Sequence, residues 1–412
     1  MSADRPINAD LPSTEELERA SEAEPSPPPK PPRKPKPLTP KLLALLVVVA
    51  VGFIVIAIVA GTGGGKEEPG SEPEAPAVAQ PDAAMDGASE PGFPYVATNN
   101  TTRVGGADPV ANAAAVALAV FPSTSADQRP TSVTLVDQGN WAGAIAAAAL
   151  MAPPVRAPIL FTEGASRPAA TEEALALLEP KRTTKLSADT GAAAAAEAAT
   201  LRDKLAPKPP AHIVIAPEDA PEFAMPAAAW AARSGDPVLF AAGDDLPPPT
   251  VAYLEKHTRA PIFLLGPDSV ISSELLREAE QIGGKATRIG GEDPVANAIA
   301  LARYGKGGFG WNINDPGHGF VLTREDAPLN AAAAAPLSGS GTWGPLLLTD
   351  SADTLPAEVR DYFLDVKPGY TDNPTRAFYN HVWVIGDQEA IDVTQQAEVN
   401  ELAELEKIGG GK

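Results

Sequence analysis

The most constraining feature of this chain is a segment that occurs twice. Arg103–Ala113 returns as Arg288–Ala298, 185 residues later (288 − 103 = 185), and the two copies differ at only two positions. A recurrence this long and this strict indicates that one structural module has been duplicated or triplicated within the chain. We therefore expect a domain that is built by repeating one unit.

This repeated segment, called the duplicated motif below, has the pattern of a strand end, a tight turn and a helix start. The Gly105-Gly106 pair permits backbone conformations that a side chain would forbid. Asp108 fits the N-cap of a helix, and Pro109 fits its first position. Apolar residues at helical spacing follow, so local structure alone explains most of the duplicated motif.

The arginine and the asparagine of the duplicated motif are not required by this local structure. A glycine turn at a helix N-terminus is a natural anion site, and a neighbouring arginine favours a sulfate, phosphate or carboxylate there. The alternative interpretation is that the arginine pairs with the aspartate of the motif and holds the turn in place. The candidate ligand-binding residues of the two copies are Arg103, Gly105, Gly106, Asp108, Asn112, Arg288, Gly290, Gly291, Asp293 and Asn297.

A continuous apolar run at residues 42–60 predicts a transmembrane helix. As a helix these residues would be about 28 Å long, close to the thickness of a bilayer core. Basic residues between 30 and 41 precede the run and acidic residues between 67 and 74 follow it, which places the N-terminus in the cytoplasm. A cleaved signal peptide is the alternative, which the long preceding tail and the lack of a nearby cleavage site disfavour.

The composition on either side of this run predicts segments without a packed core. Residues 1–41 are expected to form a disordered, proline-rich and basic cytoplasmic tail. Residues 61–94, rich in glycine, proline, glutamate and alanine, are expected to form a flexible extracytoplasmic spacer. The remaining chain divides into three predicted repeat units at residues 95–206, 207–284 and 285–407.

Short apolar strands alternate with alanine-rich helices throughout this outer region. Most of the strands are continuous apolar runs, as expected where both faces of a sheet are covered. The pattern predicts an α/β fold made of about three tandem parallel-sheet units. The predicted strands are Ser132–Asp137, Pro158–Thr162, His212–Ala216, Pro237–Ala241, Pro261–Leu265, Gly319–Thr323, Pro345–Thr349 and His381–Ile385.

The charge of the chain limits its partners. The net charge is −21, and from residue 92 onward there are 24 basic and 39 acidic residues (24 − 39 = −15). Such a surface repels nucleic acid, which we exclude as a partner. It also repels an anionic polymer, unless a local basic patch or bridging divalent cations intervene. The chain contains no cysteine, so it has neither disulfides nor thiolate metal sites.

The sequence carries no recognisable catalytic or metal-binding constellation. The four histidines are scattered, without the spacing of a metal site. A nucleophile elbow and a phosphate-binding loop are both missing. We predict that the chain is not an enzyme and uses neither a cofactor nor a metal. The alternative is an extracytoplasmic hydrolase of wall material, with its site at the strand ends of the sheets.

The outer region resembles the cell wall-binding repeat type 2 family over residues 98–405. The duplicated motif is similar to the opening of that family's unit, and two proline-led strands are similar to its Pro-x-Leu-Leu-Thr strand. In both copies Pro-Val-Ala-Asn replaces the family's Arg-Tyr-x-Thr, so the chain looks like a divergent relative. The matching positions are Arg103, Gly106, Asp108, Ala113, Arg288, Gly291, Asp293, Ala298, Pro158–Thr162 and Pro345–Thr349.

This resemblance implies three α/β units packed about a pseudo-threefold axis, and noncovalent retention on anionic polymers of a Gram-positive-type wall. We therefore predict a single-pass membrane protein whose extracytoplasmic repeat domain binds a cell wall or envelope polymer. Binding would depend on a basic patch at Arg103 or Arg288, or on bridging divalent cations. A surface scaffold that binds another protein is a further alternative.

Overall fold

The described part of the chain starts just after the predicted spacer. The computed structural model describes residues 96–188, 191–340 and 342–408. The predicted tail, membrane span and spacer, which together occupy residues 1–94, lie outside these ranges. No helix in the described part is long and apolar enough to cross a bilayer.

Helices and strands alternate along the described residues. The helices α1 to α11 are Pro109–Val120, Trp141–Ala147, Ala169–Leu178, Gly191–Leu205, Pro221–Ser234, Pro248–Lys256, Ser273–Gly283, Pro294–Arg303, Pro328–Gly339, Ala357–Asp365 and Val393–Leu402. The strands β1 to β14 are Val96–Ala97, Thr101–Val104, Ser132–Asp137, Ile159–Thr162, Arg182–Lys185, Ile213–Pro217, Val238–Ala241, Ile262–Leu265, Ala286–Ile289, Gly319–Arg324, Leu346–Thr349, Gly369–Tyr370, His381–Ile385 and Glu406–Lys407.

Three sheets share one strand order. The orders are β4-β3-β5, β7-β6-β8-β9 and β11-β10-β13-β2, with β1 added to the last sheet antiparallel to β2. All other pairings in these sheets are parallel. A separate two-stranded ribbon joins β12 to β14. The predicted α/β fold with parallel sheets and repeated units is therefore confirmed.

The strands that open the two copies of the duplicated motif complete sheets of neighbouring repeats. β9, which contains Arg288, pairs with β8 of the second sheet. β2, which contains Arg103, pairs with β13 near the far end of the chain, where Thr102 lies opposite Trp383. The predicted unit boundaries at 95 and 285 assign each copy of the motif to the repeat that follows it. Its strand, however, is hydrogen-bonded into the sheet of a different repeat: β2 joins the third sheet and β9 joins the second.

The alanine-rich helices α2, α5 and α9 pack against one another and form a common core. Each follows the central strand of one sheet, and their alanines are almost completely buried. Alanine favours helix and has no side chain beyond Cβ, so the helix backbones can approach closely. A single hydrophobic cluster spans residues of all three sheets. Close contact between the helix backbones thus fills the core of a chain that has few aromatic residues.

Three further helices connect the repeats in a cycle. α1 packs against α9 and β4, α4 against α2 and β7, and α8 against α5 and β11. α1 and α8 belong to the two copies of the duplicated motif, and α4 occupies the equivalent place between the first and second sheets. The sequence pattern does not predict α4, because the segment before it lacks the Arg-x-Gly-Gly residues of the motif.

The three repeats differ at two places. Among the described residues, the first sheet has no counterpart of β9 or β2, so β5 forms its edge. In the third repeat, residues 366–380 connect α10 to β13, whereas residues 257–261 suffice for the equivalent connection in the second. Departures from a repeated plan are where a repeat protein carries features that the plan itself does not require.

Candidate functional site

Arg103, in the first copy of the duplicated motif, is completely buried and held by several hydrogen bonds. Its Nε donates to Gln396 Oε1 at 3.0 Å, on helix α11. Its Nη atoms donate to the backbone carbonyls of Gly386, Asp387 and Ile391 at 2.9, 2.6 and 2.5 Å. This guanidinium therefore holds together the loop between β13 and α11, and a polymer cannot reach it in this structure.

The glycine turn of the first copy is closed by Asn112. The Gly106 N–H donates to Asn112 Oδ1 at 2.7 Å, and Asn112 Nδ2 donates to Asn330 Oδ1 at 2.9 Å. Gly105 has a φ of +111°, and a Cβ there would lie 2.1 Å from Asn112 Oδ1. Only glycine fits this position, because the turn needs both the left-handed backbone and the space.

The second copy of the motif keeps the arginine and the asparagine, but these side chains make fewer hydrogen bonds and Asn297 does not close the turn. Arg288 donates from Nη1 to the Gly266 carbonyl at 2.9 Å, and its Nη2 lies 3.4 Å from Asp268 Oδ1. Its side chain is 23% exposed, so it remains partly accessible to solvent. Asn297 is buried and donates to the Phe223 carbonyl at 3.1 Å, while its Oδ1 has no partner among the described residues.

The remaining residues of the duplicated motif have structural roles. Asp108 and Asp293 cap their helices by accepting from the N–H groups of Ala111 and Ala296 at 2.9 and 2.7 Å, which confirms the predicted N-caps. A Cβ on Gly290 or Gly291 would lie within 2.6 Å of backbone atoms. The alternative interpretation, an arginine–aspartate pair within the motif, does not hold for Arg288, because its carboxylate partner is Asp268 in another loop. Anion binding by the duplicated motif stays a prediction.

A cleft of about 580 Å³ lies at the carboxyl ends of β3, β4 and β5 in the first repeat. Asp137 forms its floor, where its two carboxylate oxygens accept from the N–H groups of Gly139 and Gly164 at 2.8 and 2.5 Å. Lys185 lines the cleft and donates to the Gly164 carbonyl at 2.6 Å. The carboxyl ends of parallel strands are the usual ligand-binding edge of an open α/β sheet.

Lys181 and the two basic residues of strand β5, Arg182 and Lys185, form what we call the basic rim. Lys185 lines the cleft, whereas Lys181 and Arg182 lie at the other end of the strand. Lys181, Arg182 and Lys185 are exposed, and in the described part of the chain none of them forms an ion pair. Among the described residues β5 is the edge of its sheet, so no further strand pairs with its outer side. These basic residues are visible in the sequence, but they can be recognised as a candidate binding surface only when the fold shows that β5 is an edge strand.

Two carboxyl groups at strand ends have shifted acidities. Burial and the neighbouring Asp219 raise the pKa of Glu218, against backbone N–H groups of Ala192 and Gly191 that lower it. Burial and then Asp350 raise the pKa of Glu325. Within residues 96–408, as far as they are described, no group of histidines and carboxylates could hold a metal ion. Glu218, which directly follows β6, accepts hydrogen bonds from the first backbone N–H groups of α4, those of Gly191 and Ala192.

Comparison with known proteins finds likeness at the level of structure. No protein-family model and no curated protein matches the chain. Cwp6 from Clostridium difficile matches with a TM-score of 0.60 and 17% identity, over 74% of this chain and 48% of that one. Cwp8 from the same organism matches with a TM-score of 0.56 and 16% identity, over 74% of this chain and 52% of that one.

The fold is shared. At this identity the comparison establishes the architecture and leaves the predicted family membership a prediction. The chain spans about half the length of the solved proteins that it matches.

Proposed function

We propose that this chain is a membrane-anchored surface protein whose repeat domain binds a cell wall or envelope polymer noncovalently. The observation that carries the proposal is the fold, which is similar to that of Cwp6 and Cwp8, cell wall proteins of Clostridium difficile. The apolar run at 42–60 would be the anchor, with the N-terminus in the cytoplasm. The three repeats would be related by an approximate threefold axis.

The basic rim of the first repeat is the place where we propose that an anionic polymer binds. The outer region is acidic as a whole, so attraction needs a local cluster of positive charge. Lys181, Arg182 and Lys185 provide such a cluster along the edge strand β5, and Lys185 lines the cleft of about 580 Å³. These three residues take the place of Arg103 as the proposed polymer-binding group, because the Arg103 guanidinium is buried.

Co-sedimentation of the full chain with purified walls of a Gram-positive bacterium tests the proposal. We expect the wild type to sediment with the walls at low salt and to be released as salt screens the charges. Replacing Lys181, Arg182 and Lys185 together by alanine is expected to weaken binding by about tenfold or more, since each lost contact contributes about 0.5–1 kcal/mol. Absence of wild-type binding would refute the proposed function.

A matched control separates the rim from the total charge. Lys204, Lys208 and Arg259 are exposed elsewhere, and replacing them by alanine removes the same three charges. We expect this variant to bind like the wild type. Equal losses in both variants would reject the rim as the site. A chelator is expected to leave binding unchanged, and a loss in its presence would favour bridging divalent cations instead.

The proposal includes an extracytoplasmic location and no catalysis. Protease treatment of intact cells is expected to remove the repeat domain while leaving the tail at 1–41 intact. Purified walls incubated with the protein are expected to keep their turbidity and to release no soluble sugar or peptide. Release of such products in proportion to time and protein would establish the hydrolase alternative.

A further inference from the structure

A second cleft, of about 390 Å³, lies in the third repeat, at the end of its sheet where the strands begin. The cleft of the first repeat, in contrast, lies at the carboxyl ends of its strands. It opens where β10 and β13 begin, because Gly319 and His381 are the first residues of these strands. Its size is at the lower end of the range for small-ligand sites. We call it the aromatic cleft, and its principal lining residues are His318, Ser340, Thr342, Tyr379, His381 and Trp383.

Aromatic rings form two of its walls. His381 and Trp383 are two residues apart on β13, so they project from the same face of the sheet, with ring centroids 5.5 Å apart. Tyr379 is 53% exposed, and its hydroxyl is held by the Pro374 carbonyl at 2.7 Å. The Tyr379 ring is thus fixed at its tip while the ring surface stays available to a ligand.

The cleft is anchored by a buried asparagine. Asn380 Oδ1 accepts from the N–H groups of Gly317 and His318 at 2.9 and 3.1 Å. Its Nδ2 donates to the Val366 carbonyl at 2.8 Å. These bonds tie both ends of the connection 366–380, which is specific to the third repeat, to the loop before β10. A site that is already ordered loses less entropy when it binds a ligand.

The chemistry of the lining favours an uncharged, amphipathic ligand. Among the described residues that line the cleft there is no aspartate, glutamate, lysine or arginine. Burial lowers the pKa of His381, so its ring is neutral at neutral pH. The walls combine ring surfaces with Ser340, whose hydroxyl accepts from Arg156 Nη2 at 3.4 Å, and with Thr342, whose buried hydroxyl has no partner among the described residues.

A sugar ring has the same mixture of properties. One face of a hexose carries C–H groups that pack on an aromatic ring, and its edge carries hydroxyls that need hydrogen-bond partners. A lipid chain would offer no hydrogen bonds to the polar groups of the lining, and a charged ligand would find no aspartate, glutamate, lysine or arginine in that lining. A neighbouring cleft of about 350 Å³ is lined by Ala377 and Phe378, which directly precede Tyr379, and Phe378 is 71% exposed. Two clefts that are lined by the consecutive aromatic residues Phe378 and Tyr379 suit successive rings of a glycan strand.

We infer that the aromatic cleft binds uncharged sugar rings of a polysaccharide, hexoses or N-acetylated hexosamines, with Tyr379 and Trp383 as the stacking surfaces. This inference rests on the proposed function for its source of ligand, and it names the polymer class. It adds a neutral glycan site in the third repeat to the basic rim in the first.

Calorimetric titration of the full chain with the tetrasaccharide of N-acetylglucosamine and with cellotetraose tests the inference. The detergent must lack a sugar headgroup, because such headgroups would compete for the site. We expect binding of at least one of the two oligosaccharides, and Tyr379→Ala is expected to weaken it about tenfold. Tyr379→Phe keeps the ring and is expected to bind within about twofold of the wild type.

Leu177→Ala is the matched control, because Leu177 is 54% exposed on helix α3, away from the cleft. It is expected to leave the titration unchanged. No binding of either sugar, or equal binding by Tyr379→Ala and the wild type, would overturn the inference.

The wall experiment separates this inference from the proposed function. Sedimentation with walls combined with no oligosaccharide binding would leave the proposed function standing and remove the glycan site. Oligosaccharide binding that depends on Tyr379, without sedimentation, would keep the glycan site and refute the proposed wall binding.

Discussion

Replacing Arg103 by alanine is expected to lower the free energy of unfolding by about 3–5 kcal/mol, although the residue resembles a surface binding group in the sequence. The change leaves the carbonyls of Gly386, Asp387 and Ile391 without their donors inside the protein. Each buried group that loses its partner costs about 1–3 kcal/mol. Urea unfolding of the full chain measures the effect, and faster amide exchange at residues 386–392 would locate it.

Arg288 offers the matched comparison because it occupies the same position in the second copy of the duplicated motif. It is partly exposed and makes one carbonyl bond and one long ion pair, so alanine there is expected to cost about 1 kcal/mol. A similar loss of stability in both variants would contradict our account of Arg103. Arg103→Lys is expected to behave like the alanine variant, since one ammonium group cannot reach the same set of acceptors.

Asp236→Ala is expected to destabilise the protein by a similar amount, about 3–5 kcal/mol. Asp236 is 1% exposed, and its Oδ2 accepts from Trp230 Nε1 at 2.9 Å. The Asp236 carboxylate also lies 3.0 Å from both the backbone nitrogen and the Nδ1 of His212, whose Nε2 is 3.1 Å from the Gly307 carbonyl. Because both ring nitrogens face acceptors, the charged imidazolium fits this site best.

The same network predicts how stability depends on pH. The hydrogen bond to Asp236 raises the pKa of His212, while burial opposes it. The native state therefore holds this proton more tightly than the unfolded chain, in which the pKa is about 6.5. The stabilisation is complete below that pH and is lost as pH rises through the raised pKa. Stability curves of the wild type and of His212→Gln, measured from pH 5 to 9, should converge as pH rises.

His381 is an internal control for this reasoning. Burial lowers its pKa, so the unfolded chain binds that proton more tightly and stability increases with pH below about 6.5. The two histidines thus change the stability in different pH ranges and with opposite signs.

The outcome that would contradict the account of His212 is a difference in free energy of unfolding between the wild type and His212→Gln that does not change with pH. Such a result would exclude a charged His212.

The sequence predicts the local elements of this fold well and their partners less well. Strands such as Ser132–Asp137 and His381–Ile385 are found with the predicted bounds, because a short apolar run between turn residues leaves few other solutions. The N-caps at Asp108 and Asp293 are correct for the same local reason. The pairing of β2 with β13 joins residues about 280 positions apart, and nothing in the residues of β2 itself specifies that partner.

The candidate site shows where reading a sequence without its fold is least informative. Arg103 and Arg288 have the same neighbours in sequence, yet one is buried and the other is partly exposed, because their surrounding loops differ outside the duplicated motif. The basic residues of β5 and the rings around Tyr379 belong to no motif. They become recognisable only when the repeats are compared, since the basic residues lie on an edge strand and the rings lie beside an enlarged connection.

The pairing of β2 with β13 also constrains the order in which parts of the protein can fold during synthesis. Strand β2 is synthesised long before its partner, so it has no hydrogen-bonded parallel neighbour until the residues of β13, 381–385, have been added. The third sheet is thus completed last, and the rate of that step is governed by a contact between distant parts of the sequence. A truncated product that ended before residue 381 would leave β2 without its parallel partner, as a target for aggregation or degradation.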